Sequence, residues 1–377
     1  MTDMERLGVL RLRPFERRVD PKTVPCNETS DASMLCANPL VSVVMLTYNH
    51  GDSIRAAIEG VMMQKTDFPF ELVIGEDAST DFTRQICFDF QRRHPDRIRV
   101  LWSEGNVCSM GGSGVRVMAR CRGAYRAFCE GDDVWIDPLK LQKQVDLMRR
   151  HPEVGLCLGG TEVERVGEGV TPFPYAGRWP MVVPGDRLVR AYLDDVAVDG
   201  VRFDASSFQT SGYLVRVSAL DEAKRRFPEI YGWRWGFGDV SMVTTVAAVS
   251  SVCFLCEPVS RYRLTGRGAT ATRGARLLLD GVLFAVYLRS CYEGIGLDAA
   301  LACETRRLRR QLGRVLAEKT PEEQRIAAAG LLSSSDFLRL FDRIGYRRTL
   351  RLMTLGTLTP ARWRRIQRFG RILDGIW

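Results

Sequence analysis

The chain has no long hydrophobic run. Val240–Cys256 is uncharged for 17 residues, but five of them are Ser or Thr and Glu257 closes the stretch. That is short and polar for a membrane span, and it reads as a buried helix running into a strand. The opening residues, Met1–Arg18, mix acids with arginines and hold no apolar segment of signal-peptide length. Eleven cysteines, an odd number, follow no regular spacing, which disfavours a secreted disulfide scaffold and fits a reducing cytoplasm. Cys253 and Cys256 have CxxC spacing without a second pair or a histidine partner, so they read as core. Histidine is scarce, at three residues. There is no internal repeat or low-complexity tract. With 26% charged and 45% hydrophobic residues, wholesale disorder and fibrous classes are excluded.

What is present is an alternation of elements. Residues 1–38 read as an irregular extension, broken by Pro21, Pro25, Asn27, Ser30 and Ser33. Order begins at Leu40, where LVSVVMLT is a continuous, β-branched run suited to a strand buried on both faces. Ile54, Ile58, Val61 and Met62 then recur at helical spacing, with Asp52 or Ser53 as the cap. Strands are expected at 70–76, 98–102 and 124–130, and helices at 80–93, 114–122 and 139–150. This pace predicts βαβ units, an α/β fold with a mostly parallel sheet between helices. Residues 155–270 read as short strands among Gly, Pro and aromatic clusters, and the chain turns helical from about Arg273. Residues 301–377 hold 17 Lys/Arg against 7 Asp/Glu, so this region accounts for the whole net charge of +9.

In parallel sheets, ligands bind at the carboxyl ends of the strands. Three polar clusters follow strands directly: Thr47-Tyr48-Asn49, Glu76 through Asp81, and Glu130-Gly131-Asp132-Asp133. Adjacent carboxylates are costly unless neutralised, and a hard Mg²⁺ or Mn²⁺ ion does so while sharing its shell with phosphate oxygens. A solvated helix-start cluster, with Asp137 capping the next helix, is the plainer alternative.

The run from Val41 to Asp81 followed by CEGDDVWIDPLKLQKQVD resembles family 2 glycosyltransferases of the GT-A fold, in a bacterial subgroup with GEDxSTD and EGDDxW motifs. The resemblance is close over 40–150 and loose over 205–270. It implies a GT-A type, Rossmann-like sheet over 39–270, with 1–38 before it and a basic helical region at 271–377. It implies nucleotide-sugar contacts from Thr47, Tyr48, Asn49 and Asp77, and a DxD-type metal motif on Glu130, Gly131 and Asp132. Asp132 and Asp133 are the implied Mn²⁺ or Mg²⁺ ligands, with Asp132 favoured. Gly238-Asp239 matches the acidic motif at a helix start that supplies the catalytic base; an N-cap aspartate is the structural alternative. Tyr262 and Arg263 match a later segment on the diphosphate side, where Thr265 replaces a common His and Arg267 is a candidate substitute.

Other features carry two readings. Trp233 and Trp235 suit either acceptor stacking or core packing. Gly111–Gly114 suits either a phosphate cradle or a tight loop. Trp135 is expected to pack under the metal loop, and His50 to edge the nucleotide site. Trp363, Ile366, Phe369, Leu373 and Trp377 lie opposite most of the nearby arginines, as in a helix resting on an anionic membrane or docking on protein. No nucleic-acid reader motif accompanies that basic region.

The expected activity is an inverting, metal-dependent transfer from a nucleoside diphosphate sugar to a saccharide or lipid-linked acceptor, in surface polysaccharide or glycoconjugate synthesis. The location implied is cytoplasmic, peripheral to the membrane. A homo-oligomer stays open. A sugar nucleotidyltransferase is disfavoured because TYNHGDS replaces the Gly-rich basic loop of that class, and a non-catalytic binding module is the third reading.

Overall fold

The computed structural model describes residues 18–108, 112–165, 167–178, 181–194, 196–201, 208–233, 235, 238–264, 274–296, 299–300 and 302–304. Thr265, Arg267, Gly111 and the basic residues beyond 304 lie outside the described residues. The chain divides into a unit of residues 15–272 and a second unit of residues 1–14 with 273–377.

The larger unit is built on one sheet. Strands β1 (Asn27–Thr29), β2 (Val41–Thr47), β3 (Phe70–Glu76), β4 (Ile98–Trp102) and β5 (Tyr125–Phe128) alternate with helices α1 (Ile54–Met62), α2 (Thr83–Arg93) and α3 (Gly112–Met118). Then come β6 (Val134–Trp135), α4 (Lys140–Arg150), β7 (Val154–Arg165), β8 (Gly169–Thr171), β9 (Met181–Val183) and α5 (Gly185–Asp194). The unit closes with β10 (Tyr213–Arg216), α6 (Val217–Arg226), α7 (Pro228–Gly232), α8 (Asp239–Ala247) and β11 (Ser251–Leu264). The strand order is β1-β4-β3-β2-β5-β10-β7-β11-β6, with β8 on β7 and β9 on β11.

The β4-β3-β2-β5 block is parallel, as the βαβ pattern requires. β2 and β3 are buried almost throughout, which is why they read as unbroken apolar runs. Helix α1 sets Ile54, Ala57, Ile58 and Val61 into the core. Its Gly60 permits a close approach: a Cβ there would lie 2.9 Å from the Trp135 carbonyl oxygen. Val240–Cys256 is a helix passing into a strand, as expected.

Three expectations are corrected. Residues 27–29, read as irregular, form β1 antiparallel to β4. The cause is long-range: Arg99 donates to both Glu28 carboxylate oxygens at 2.8 and 3.0 Å. Arg99 also donates to Glu71, which further accepts from Ser42 and Arg122. Burial alone would raise the Glu71 carboxyl, but these hydrogen bonds and the Arg99 charge more than offset it and hold it below its ordinary value. Second, the strands after residue 154 are not all short. β7 has 12 residues and β11 has 14, paired in parallel with register shifts around Pro258. Third, α3 starts at Gly112 and stops at Met118, earlier than expected. Gly112 packs closely, since a Cβ there would lie 2.9 Å from a Val24 methyl and 3.2 Å from the Val107 carbonyl oxygen.

In the second unit, Gly274–Glu293 is a 20-residue helix. Among the described residues, no helix is long and apolar enough to cross a membrane.

Candidate active site

The carboxyl ends of β2, β3 and β5 and the start of α8 carry the predicted polar residues. Thr47 ends β2, buried, and its Oγ1 has no hydrogen-bond partner. Tyr48 is exposed. Asn49 takes a left-handed conformation (φ 54°), which Asn tolerates. Its side-chain oxygen accepts from the Thr80 amide at 2.8 Å, and its own amide donates to Ser79 Oγ at 3.0 Å. Gly51 donates to Asp81 Oδ2 at 2.9 Å. The loops after β2 and β3 are therefore stitched to one another.

Asp77 is almost wholly buried. Its Oδ1 accepts from the Val107 amide at 2.8 Å and its Oδ2 from the Cys108 amide at 3.0 Å. The Arg116 guanidinium lies 3.8 Å from Oδ1 and donates to the Glu76 carbonyl and Ser103 Oγ. Thus Asp77 ties the loop after β4 to the end of β3. The neighbouring Ala78 is left-handed (φ 60°), an uncommon state for a residue with a Cβ.

The acidic loop after β5 turns back under the end of β2. Gly131 donates to the Leu46 carbonyl. A Cβ at Gly131 would lie 2.7 Å from both Thr47 Oγ1 and His50 Nδ1, so only glycine fits there without a shift. Of the two expected caps of α1, Asp52 or Ser53, Ser53 holds the N-cap position but makes no cap bond and instead donates to the Gly131 carbonyl at 3.0 Å. His50 Nε2 lies 3.8 Å from Asp132 Oδ2, so His50 does edge the site. Asp132 is partly exposed, whereas Asp133 is buried with both oxygens engaged. Ser211 Oγ donates to Asp133 Oδ2 at 2.6 Å, and the Arg263 amide donates to Oδ1 at 3.3 Å.

The electrostatics follow from this crowding. Loss of solvation, then the charges of Asp132, Asp133 and Asp239, push the Glu130 carboxyl up to about 8. Loss of solvation and Asp132 push Asp133 up to about 7, against the Ser211 and Arg263 hydrogen bonds. Asp239 is the first residue of α8; Gly238 is the N-cap, and no side chain caps the helix. Asp239 Oδ2 accepts from Thr210 Oγ1 at 3.4 Å.

Among the described residues, no three or more His, Cys, Asp or Glu side chains are gathered as a ready metal cage. The donor chemistry fits a hard divalent ion nonetheless. The Asp132 charge raises the proton affinity of Glu130 and Asp133, and the Asp132 carboxylate is itself accessible. Mg²⁺ commonly takes one or two protein carboxylates and completes its shell with phosphate and water.

Other predicted residues are placed as follows. Trp233 and Trp235 are buried, with their indole nitrogens donating to Glu229 and the Ile230 carbonyl, so the structure gives them core packing. Arg263 pairs with Glu164 at 3.1 Å, and Tyr262 lies beside it on β11, partly buried. Trp135 is buried beneath the acidic loop and donates to the Phe128 and Ser211 carbonyls. Thr210 and Ser211 were missed. A Thr-Ser pair carries no motif signal, and its importance lies only in contacts with Asp239 and Asp133, which are distant in sequence.

Residues 42–180 match the family described as Glycosyl transferase family 2. An uncharacterized protein of Mycobacterium tuberculosis is 42% identical over 117 residues, covering 31% of this chain and 34% of that one. The Escherichia coli protein WfgD, named as a UDP-Glc:alpha-D-GlcNAc-diphosphoundecaprenol beta-1,3-glucosyltransferase, is 32% identical over 139 residues, covering 35% of this chain and 51% of that one. The matches thus span a third to a half of these relatives' lengths. S. aureus TarS 1-349 in complex with UDP shares 16% identity, covering 81% and 82% of the two chains at a TM-score of 0.48.

Proposed function

We propose, from the match of residues 42–180 to Glycosyl transferase family 2, that the chain transfers a sugar from a nucleoside diphosphate donor to a hydroxyl of a saccharide or lipid-linked acceptor. One observation supports the reading: the adjacent residues Thr210 and Ser211 donate to Asp239 Oδ2 at 3.4 Å and to Asp133 Oδ2 at 2.6 Å, so Asp239 and the acidic loop share one hydrogen-bonded turn. This supports reading the acidic loop and Asp239 as parts of one site.

In this reading Thr47, Tyr48 and Asn49 border the nucleoside. Asp77 fixes the loop wall at Asn106–Cys108 and retains a lone pair on each oxygen for a base N–H. Asp132 leads in holding Mn²⁺ or Mg²⁺, with Glu130 and Asp133 beside it. When bound, such an ion supplies positive charge against the leaving diphosphate. Asp239 takes the proton of the acceptor hydroxyl as its oxygen bonds to the anomeric carbon. The bond from that carbon to the diphosphate oxygen breaks, its electron pair leaves with the nucleoside diphosphate, and the configuration inverts. A diphosphoundecaprenol-linked acceptor, like the one named for WfgD, would make a peripheral membrane location sensible.

The test is transfer with a panel of nucleotide sugars and a lipid-linked saccharide. Asp239→Asn should bind donor like the wild type but lose at least about 100-fold in kcat. Near-normal turnover by the folded variant would remove Asp239 as base.

A further inference from the structure

A short turn joins the two halves of the acidic site. Thr210–Gly212 is a single 3₁₀ turn entering β10. Its first two residues present hydroxyls to carboxylates on either side of it in the sequence, Asp239 29 residues after Thr210 and Asp133 78 residues before Ser211. Thr210 Oγ1 donates to Asp239 Oδ2 at 3.4 Å, and Ser211 Oγ donates to Asp133 Oδ2 at 2.6 Å while accepting from the Glu130 amide at 3.1 Å.

The turn itself is anchored. The Trp135 indole donates to the Ser211 carbonyl at 2.7 Å, and Gln144 donates to the Gly212 carbonyl at 2.8 Å. Gly212 lies against β7, where a Cβ would be 2.5 Å from the Gly159 carbonyl oxygen. The Gln209 amide donates to Thr161 on β7, and the Tyr213 hydroxyl donates to the Phe208 carbonyl. Such a seat leaves little freedom for the two hydroxyls. Ser211 is fully buried, and its single Oγ serves both the backbone and the side chain of the acidic loop.

The geometry points to Thr210 and Ser211 as positioning residues: Ser211 sets the acidic loop for a divalent ion, and Thr210 sets Asp239 at a fixed place relative to that loop. The inference rests on the glycosyltransferase reading for the role of Asp239, but its Ser211 half concerns ion binding alone. Outer hydrogen-bond partners of metal-ligating groups typically change affinity by 10- to 100-fold. Losing one hydrogen bond to a carboxylate base is worth about a tenfold change in rate.

The experiment uses the full chain and six variants: Thr210→Val, Thr210→Ser, Ser211→Ala, Ser211→Cys, Asp239→Asn, and Thr210→Val with Asp239→Asn. Mn²⁺ affinity is measured by titration calorimetry, kcat and KM by transfer, and folding by urea melts. Ser211→Ala should weaken Mn²⁺ binding by about 10-fold or more. Should Ser211→Ala not fold, Ser211→Cys, which keeps a weak donor, should show an intermediate loss. Thr210→Val should leave Mn²⁺ affinity within about twofold and lower kcat about tenfold at unchanged donor KM, with Thr210→Ser restoring it. Its urea midpoint shift should shrink once Asp239 is Asn, because a neutral amide oxygen accepts the hydroxyl more weakly than a carboxylate.

Wild-type Mn²⁺ affinity in both folded Ser211 variants would overturn the Ser211 half. Wild-type kcat in Thr210→Val, or an undiminished midpoint shift in the Asp239→Asn background, would overturn the Thr210 half. A wild type that binds Mn²⁺ but transfers no sugar would sink the transferase reading while leaving the calorimetric and urea tests decisive.

Discussion

Lys140 offers a prediction whose sign and size can be worked out. It opens α4 and is fully buried under the acidic loop. Its Nζ donates to Gln144 Oε1 at 2.8 Å and stands 4.1 Å from the centre of the Trp135 ring. Burial lowers its ammonium from 10.5 to about 7, against smaller opposing effects of Cys129, Cys157 and Asp137. A shift from 10.5 to 7 corresponds to about 5 kcal/mol of penalty on the charged form. The Trp135 face favours the cation by up to about 2 kcal/mol, which leaves about 3 kcal/mol. Because the folded value is the lower one, the unfolded chain binds more protons between about 7 and 10.5. The Lys140 contribution to stability is therefore full above 10.5, falls as pH falls, and is gone below about 7.

The perturbation is Lys140→Met, which fills similar space without charge. Absolute stability is a poor readout, since Gln144 Oε1 loses its donor at a cost of about 1–3 kcal/mol. The difference between two pH profiles is clean. Urea melts at pH 6, 7.5 and 9 should show the wild type gaining about 1–3 kcal/mol relative to Lys140→Met across that interval. Parallel profiles would refute the reasoning and mean that Trp135 and Gln144 keep the ammonium charged in the fold.

Other outcomes follow from the acidic site. Glu130 has a raised value near 8, so the stability it contributes is full below about 4.5 and lost as pH rises to 8; Glu130→Gln should flatten that decline in metal-free urea melts. Asp77→Asn turns one acceptor of two backbone N–H groups into a donor, and should cost about 2–4 kcal/mol in urea melts while weakening UDP binding. Gly131→Ala places a methyl 2.7 Å from Thr47 and His50, and should cost about 1–3 kcal/mol and reduce nucleotide affinity in calorimetry.

The first half of the fold was legible because β2 and β3 are buried on both faces and the helix between them, α1, has clear apolar periodicity. The second half was less so. Gly159, Gly160 and Pro258 interrupt β7 and β11, and only their mutual pairing, with its register shifts, makes them continuous. β1 is three polar residues whose reason for being extended is Arg99, 71 residues away. The acidic loop and Asp239 were visible as carboxylates following a strand and starting a helix. That Asp77 accepts from the Val107 and Cys108 amides was not visible, since backbone donors leave no mark in a sequence. The inward turn of Trp233 and Trp235 was equally hidden, because a buried and an exposed indole are spelled alike.

The central claim is that the acidic loop forms a metal-dependent nucleoside diphosphate site. Its most direct test is calorimetric titration of UDP and other nucleoside diphosphates into the wild type and Asp132→Ala, each with and without Mn²⁺. The account predicts binding of one nucleoside diphosphate by the wild type that strengthens with Mn²⁺, and loss of that strengthening in folded Asp132→Ala. Absence of any binding by folded wild type, or equal Mn²⁺-dependent binding by Asp132→Ala, would contradict it.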